Sequence, residues 1–105
     1  MTHTQTAGPF RTLADIKAAN ASSGQRYWFS PDTMRFFRSI ADRGVIGGRY
    51  FVTSEQYVPY DGDPDPRRFT VRVAHDDGTI GTVGDFQAHD TLGQARAAAR
   101  ALVTA

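Results

Sequence analysis

The chain has no cysteine among its 105 residues, which excludes disulfides, thiolate catalysis and cysteine-ligated zinc. No apolar run approaches the ~20 residues that would span a bilayer. The first residues also lack the charged-then-apolar pattern of a secretory signal. A cytoplasmic protein with no membrane partner is the expectation. Glu55 is the single glutamate, and the aspartates are scattered, so no acid/base pair of carboxylates stands out. His3, His75 and His89 fall without HxxxH or HExxH spacing, so no metal centre is expected. No GxGxxG and no phosphate-binding-loop pattern occurs, and Gly78, Gly81 and Gly84 have the wrong spacing for a phosphate cradle. Ser30, His75 and Asp85 could be named as a triad, but Ser30 reads as a helix cap and nothing local supports the other two. No catalytic residue and no cofactor is expected, and the chain reads as a non-enzymatic binding module.

What is present is ordinary for a globular protein: 40% apolar and 22% charged residues. The length fits one domain over 1–105, with 1–10 a loose polar tail. Net charge is only +1, and Lys17 is the single lysine beside eleven arginines. That bias reads either as the codon usage of a GC-rich genome or as a surface that grips phosphates and carboxylates in bidentate fashion.

The clearest stretch runs from Arg67 to Leu102. Phe69, Val71 and Val73 alternate with Arg68, Thr70 and Arg72, as in a strand with one buried face. Asp77-Gly78 marks a hairpin turn. The return strand, Thr79 to Phe86, carries Ile80, Val83 and Phe86, and Gly84 spoils its alternation, so it must bend there. Asp90 or Thr91 caps a helix. Thr91 with Gln94 fits the capping box, and Leu92, Ala95, Ala99 and Leu102 form its apolar face, with Arg96 and Arg100 on another.

Earlier in the chain, Thr12 and Asp15 can cap a helix over Leu13 to Ala21. Ser30-Pro31 is a second helix start, with Asp32 favourable to the helix dipole and Gly44 as its stop. Met34, Phe37 and Ile40 or Ala41 share a face of that helix, and Arg38 can pair with Asp42. Tyr27, Trp28 and Phe29 precede it as a staple. This aromatic cluster is read as core rather than as a stacking platform. Arg49 to Val58 reads as the first strand. The loop Pro59 to Pro66 is an insertion, and Pro66 and Arg72 stand where a calcium loop would need glycine and glutamate.

The expected fold is α+β, a three-stranded antiparallel meander packed against helices in the order α-α-β-β-β-α. If Tyr50, Val52, Phe69, Val71 and Val73 face inward, the opposite sheet face displays Arg49, Phe51, Thr53, Arg68, Thr70 and Arg72. That face reads either as a solvated surface or as one that touches phosphates and base edges. On this reading Phe37→Ala costs ~3–5 kcal/mol as a core truncation, whereas Arg72→Ala changes stability by less than ~0.5 kcal/mol.

Across the junction of the last strand and helix, Val83, Gly84, Asp85, Phe86, Thr91, Gln94, Ala95, Ala98 and Ala99 resemble the DNA-binding domain of ethylene-response factors and the arm-binding domains of phage integrases. The resemblance covers the last third of the chain. It implies that Arg49, Arg68 and Arg72 contact double-stranded DNA, although no tryptophan falls on these strands. The overall pattern also resembles small proteins of phages, plasmids and integrated mobile elements. That implies a DNA-binding accessory protein or, as the alternative, an anti-CRISPR-like inhibitor that binds a host protein complex. A homodimer through a sheet edge is a further possibility of the same reading.

Overall fold

The computed structural model describes residues 8–31, 39–56 and 59–104, without the side chains of 39–43 and 104. Among these residues two helices and four strands form an α+β fold: α1 (Leu13–Ser22), β1 (Ser39–Ile46), β2 (Tyr50–Glu55), β3 (Arg68–Ala74), β4 (Ile80–Val83) and α2 (Leu92–Thr104). The strands make one antiparallel sheet in the order β1-β2-β3-β4.

The expected three-stranded order needs correction at β1. Residues 39–46 form a strand where the sequence reading placed the second half of a helix. Ile40, Val45 and Ile46 are β-branched, and Gly47 and Gly48 at φ +61° and +78° supply a two-residue turn that returns the chain into β2. Pairing with β2 outweighs the local helix preference, and two register shifts let β1 follow the sheet twist. Met34, Phe36, Phe37 and Arg38, which that helix would have carried, lie outside the described residues.

The N-terminal segment also departs from expectation. Gly8 and Phe10 donate backbone hydrogen bonds to Gly47 and Gly48 at 2.8 and 2.9 Å, and Phe10 enters the core. Residues 8–10 are therefore a strap across the β1–β2 turn rather than part of a loose tail.

The capping signals of the two described helices and the Asp77-Gly78 turn hold, while the return strand ends at Val83 rather than Phe86. Thr12 caps α1 by accepting from Asp15 N–H at 3.2 Å, while the Asp15 carboxylate accepts from Thr12 N–H at 3.2 Å. At α2, Thr91 accepts from Gln94 N–H at 3.1 Å, and Gln94 reaches back to Asp90 N–H at 3.0 Å. The hairpin turn closes through Gly78 N–H to His75 C=O at 2.8 Å, with Gly78 at φ +89°. Its Asp77 carboxylate is held below the ordinary aspartate range, first by the Thr79 backbone N–H and then by the Thr79 hydroxyl. Because the folded pKa is depressed, that support is present at neutral pH and fades on acidification.

Each sheet face has its own core. On one, Tyr50, Val52 and Val71 pack with Ala95 and Ala99 of α2, whose small seam residues let the helix sit close. On the other, Phe51, Ala74 and Ile80 pack with Ile16 of α1, Phe10 and Phe29. All six residues of β2 are consequently buried.

Asn20, at the end of α1, ties three segments together from a fully buried position. Its amide donates to Gln25 Oε1 at 2.9 Å and to Gly78 C=O at 3.0 Å, and its carbonyl accepts from Trp28 N–H at 2.8 Å. Asn20→Ala leaves the Gly78 carbonyl and Trp28 N–H without these partners, a loss of about 1–3 kcal/mol. Urea denaturation checks it, and a change within about 0.5 kcal/mol, the usual surface value, would remove Asn20 from this role.

Candidate functional site

The register pairs Tyr50 with Val73, Phe51 with Arg72, Val52 with Val71, Thr53 with Thr70 and Glu55 with Arg68. This is the division of faces read from the sequence. The exposure of the second face is not. Arg49, Phe51, Thr53, Thr70 and Arg72 are all buried, and only Arg68 is exposed. α1, the strap and the Trp28–Phe29 turn cover the face that was expected to meet solvent or DNA.

Cross-strand neighbours turn the buried polar residues into a network. Arg72 Nε donates to Thr53 Oγ1 at 3.0 Å, one terminal nitrogen donates to Thr82 Oγ1 at 2.5 Å, and the other meets Glu55 Oε2 at 3.2 Å. The two Glu55 oxygens also accept from the hydroxyls of Thr53 and Thr70, the latter at 2.7 Å. Thr70 Oγ1 in turn accepts from Gln87 N–H at 2.8 Å. Side-chain exposure is 5% for Arg72 and 4% for Glu55, so this is a desolvated ion pair. Burial pulls the Arg72 pKa below the ordinary arginine value, while the Glu55 charge and hydrogen bond push back. With its hydroxyl and guanidinium bonds in place, the carboxylate is engaged as a structural acceptor.

The other expected contact residues are held in pairs. Arg49, behind the Gly47–Gly48 turn, bonds Asp76 at 2.7 Å. Arg68 is ion-paired with Asp90 just ahead of α2. His75 is exposed at the hairpin, His89 bridges to Phe69, and His3 lies outside the described residues. Among the described residues no group of histidine, aspartate and glutamate side chains is placed to hold a metal ion. No helix is long and apolar enough to cross a membrane among those residues.

What reaches the surface above the network is aromatic. The Arg72 guanidinium lies 5.5 Å from the Trp28 ring and 5.5 Å from the Phe86 ring. Trp28 continues inward to Phe51 in an edge contact at 5.8 Å, and Tyr27 sits 6.0 Å from Phe29. Phe86 is 48% exposed and Tyr27 38% exposed. Phe86 reaches this place because Gly84, at φ +71°, and Gln87, at φ +59°, end β4 and fold the chain back over Arg72. The broken alternation at Gly84 signalled a bend, but the strand ends at Val83 and Phe86 is left half exposed rather than in the core. Nothing in the pattern indicated that Trp28 or Glu55 would join the same cluster.

These features define a small α+β domain: a four-stranded antiparallel sheet covered on both faces, with an ion pair inside and aromatic side chains at the rim. The chain belongs to DUF7447, a family of unknown function, whose model matches residues 12–100. No curated protein and no solved structure matches it.

Proposed function

We propose that this chain is a non-enzymatic binding module whose partner is a protein, engaged at the rim formed by Tyr27, Trp28 and Phe86. The carrying observation is the inversion of what the sheet displays: its arginine face is inside, and aromatic surface stands over it. Half-exposed aromatic residues held by a rigid framework supply contact area at small entropic cost, as protein-binding hot spots do. A duplex, by contrast, requires several accessible cations, and among the described side chains of the sheet only Arg68 is an exposed arginine, already paired with Asp90. The near-neutral charge supports the same choice. A host protein complex, as for an inhibitor of a defence system, is a partner of this kind.

The test is retention of a protein from nuclease-treated host lysate by the immobilised chain, compared with Tyr27→Ala and Phe86→Ala. Each substitution is expected to weaken retention about tenfold or more, as hot-spot truncations do. Circular dichroism verifies that the variants remain folded. Retention unaffected by both substitutions, or salt-sensitive binding to random duplex that falls with Arg96→Ala and Arg100→Ala on the exposed side of α2, overturns the reading.

A further inference from the structure

Tyr27 and Phe86 are not the whole of the exposed aromatic surface. Tyr60, in the connection between β2 and β3, is 99% exposed. The pairing of Glu55 with Arg68 places that connection beyond the end of the sheet where β2 stops and β3 begins. The segment from β4 to α2 crosses the same end. Gln87 N–H donates to Thr70 Oγ1 at 2.8 Å, and His89 exchanges backbone hydrogen bonds with Phe69. The Arg72 guanidinium also reaches toward this end, since it meets Glu55, and the Phe86 and Trp28 rings lie against it. Tyr60 and the aromatic rim therefore stand at one end of the domain.

The β2–β3 connection is held at its base. Gln56 Nε2 donates to Asp65 C=O at 3.0 Å, and Arg67 donates to Ser54 Oγ at 2.7 Å. Pro64 and Pro66 fix their own φ and disfavour helical backbone at Asp63 and Asp65. A segment restricted in this way gives up little conformational entropy when a partner orders it. Its exposed charge is negative. Asp61, Asp63 and Asp65 are exposed, and none of their carboxylates makes a hydrogen bond or ion pair among the described residues. Asp85 and Asp90 add two exposed aspartates on the β4–α2 segment. Against these five stand Arg67, bonded to Ser54, and Arg68, paired with Asp90. The whole chain is +1, so these two connections are acidic while the remainder of the chain carries the positive excess.

We propose that this end of the domain is a docking surface, that Tyr60 extends the aromatic rim across it, and that its occupant is a protein presenting a cationic face. The inference rests on the rim being a protein-binding site and names the chemistry of the partner. Tyr60 and Phe86 are the contact anchors, as exposed aromatic side chains are in protein interfaces. The aspartates around them select a partner whose lysines and arginines surround an apolar patch, and they speed its approach. The same charges repel nucleic acid. They also disfavour a second copy of this chain at this face, because a two-fold contact would set the acidic connections against each other.

The protein retained from nuclease-treated lysate, once purified, is the probe. Its affinity for the full chain is expected to fall as salt rises. Heparin, a polyanion that covers a cationic face, is expected to displace the chain from it. Combining Asp61→Asn, Asp63→Asn and Asp65→Asn weakens binding about tenfold at low salt and flattens the salt dependence. Tyr60→Ala weakens it about tenfold at low and high salt alike. All four side chains are exposed, so circular dichroism is expected to be unchanged. The heparin arm uses the wild-type chain and decides the matter if a variant does not fold. A partner that needs Tyr27 and Phe86 but is indifferent to heparin and to the three asparagines overturns this inference and leaves the rim as a protein-binding site. A Tyr60→Ala chain that binds as tightly as wild type overturns it too. Absence of any retained protein overturns both.

Discussion

Arg72→Ala is expected to cost about 3–5 kcal/mol of folding stability, because it leaves Glu55 as a buried carboxylate without its counter-charge. A domain of this size commonly has ~5–15 kcal/mol in total, so the variant is marginal at best. The loss spreads beyond the ion pair: Thr53 and Thr82 lose the donor that reached their hydroxyls, and Trp28 and Phe86 lose the cation between their rings. The sign of a second comparison separates a buried pair from a general packing defect. Removing both charges, as Glu55→Leu with Arg72→Leu, takes away the desolvation cost together with the attraction, and the double variant is expected to be more stable than Arg72→Leu alone. Urea denaturation of the three variants decides it. A change below ~0.5 kcal/mol for Arg72→Ala, the value expected of a surface position, would mean that the network is not closed in solution.

That expectation reverses the one drawn from the sequence, and the reason is physical. Period-2 alternation reports which residues share a face, and it assigned Tyr50, Val52, Val71 and Val73 to one side and Phe51, Thr53, Thr70 and Arg72 to the other, as observed. It does not report what covers a face. A row of arginine and threonine fits a solvated sheet, but it fits a buried one equally well once a carboxylate is supplied across the strands. Glu55 stands at the far end of β2, 17 residues from Arg72 in sequence, and only the hairpin register brings them together. The helices, by contrast, were legible wherever one or two side chains determine the backbone. Thr12 with Asp15, and Thr91 with Gln94, place both helix starts without any tertiary help.

β1 shows the opposite case. Ser30-Pro31 is a local start signal, but residues 39–46 gain more from pairing with β2 than from continuing a helix, and that partner comes from beyond the Gly47–Gly48 turn. Gln25 and Asn20 carried no sequence signal of the bonds they make. Their bonds to Ile80 and Gly78 span 55 and 58 positions, distances at which local pattern is silent. The aromatic rim has the same character. Trp28 and Phe86 are far apart in sequence and converge because Arg72 lies between them.

Gly78→Ala is the other change with a large expected effect, about 2–6 kcal/mol. Two costs combine. Gly78 sits at φ +89°, where an L side chain is disfavoured by about 1–3 kcal/mol. Its added Cβ would also land on the Ala19 carbonyl oxygen, 2.5 Å from the carbonyl carbon and 3.0 Å from Asn20 N. Those atoms are backbone at the end of α1, so relief requires the helix to move away from the hairpin, at an overpacking cost of about 1–3 kcal/mol. Movement there also lengthens the Asn20 bond to Gly78 C=O, through which the aromatic turn and Gln25 are positioned. Gly84→Ala supplies the control. Gly84 has φ +71°, but an added Cβ meets nothing within 4 Å, so only the conformational cost applies. Thermal or urea unfolding should therefore rank Gly78→Ala well below Gly84→Ala in stability. Equal losses at the two sites would show that α1 does not bear on the hairpin turn, and with it that the cover over Arg72 is not anchored at that end.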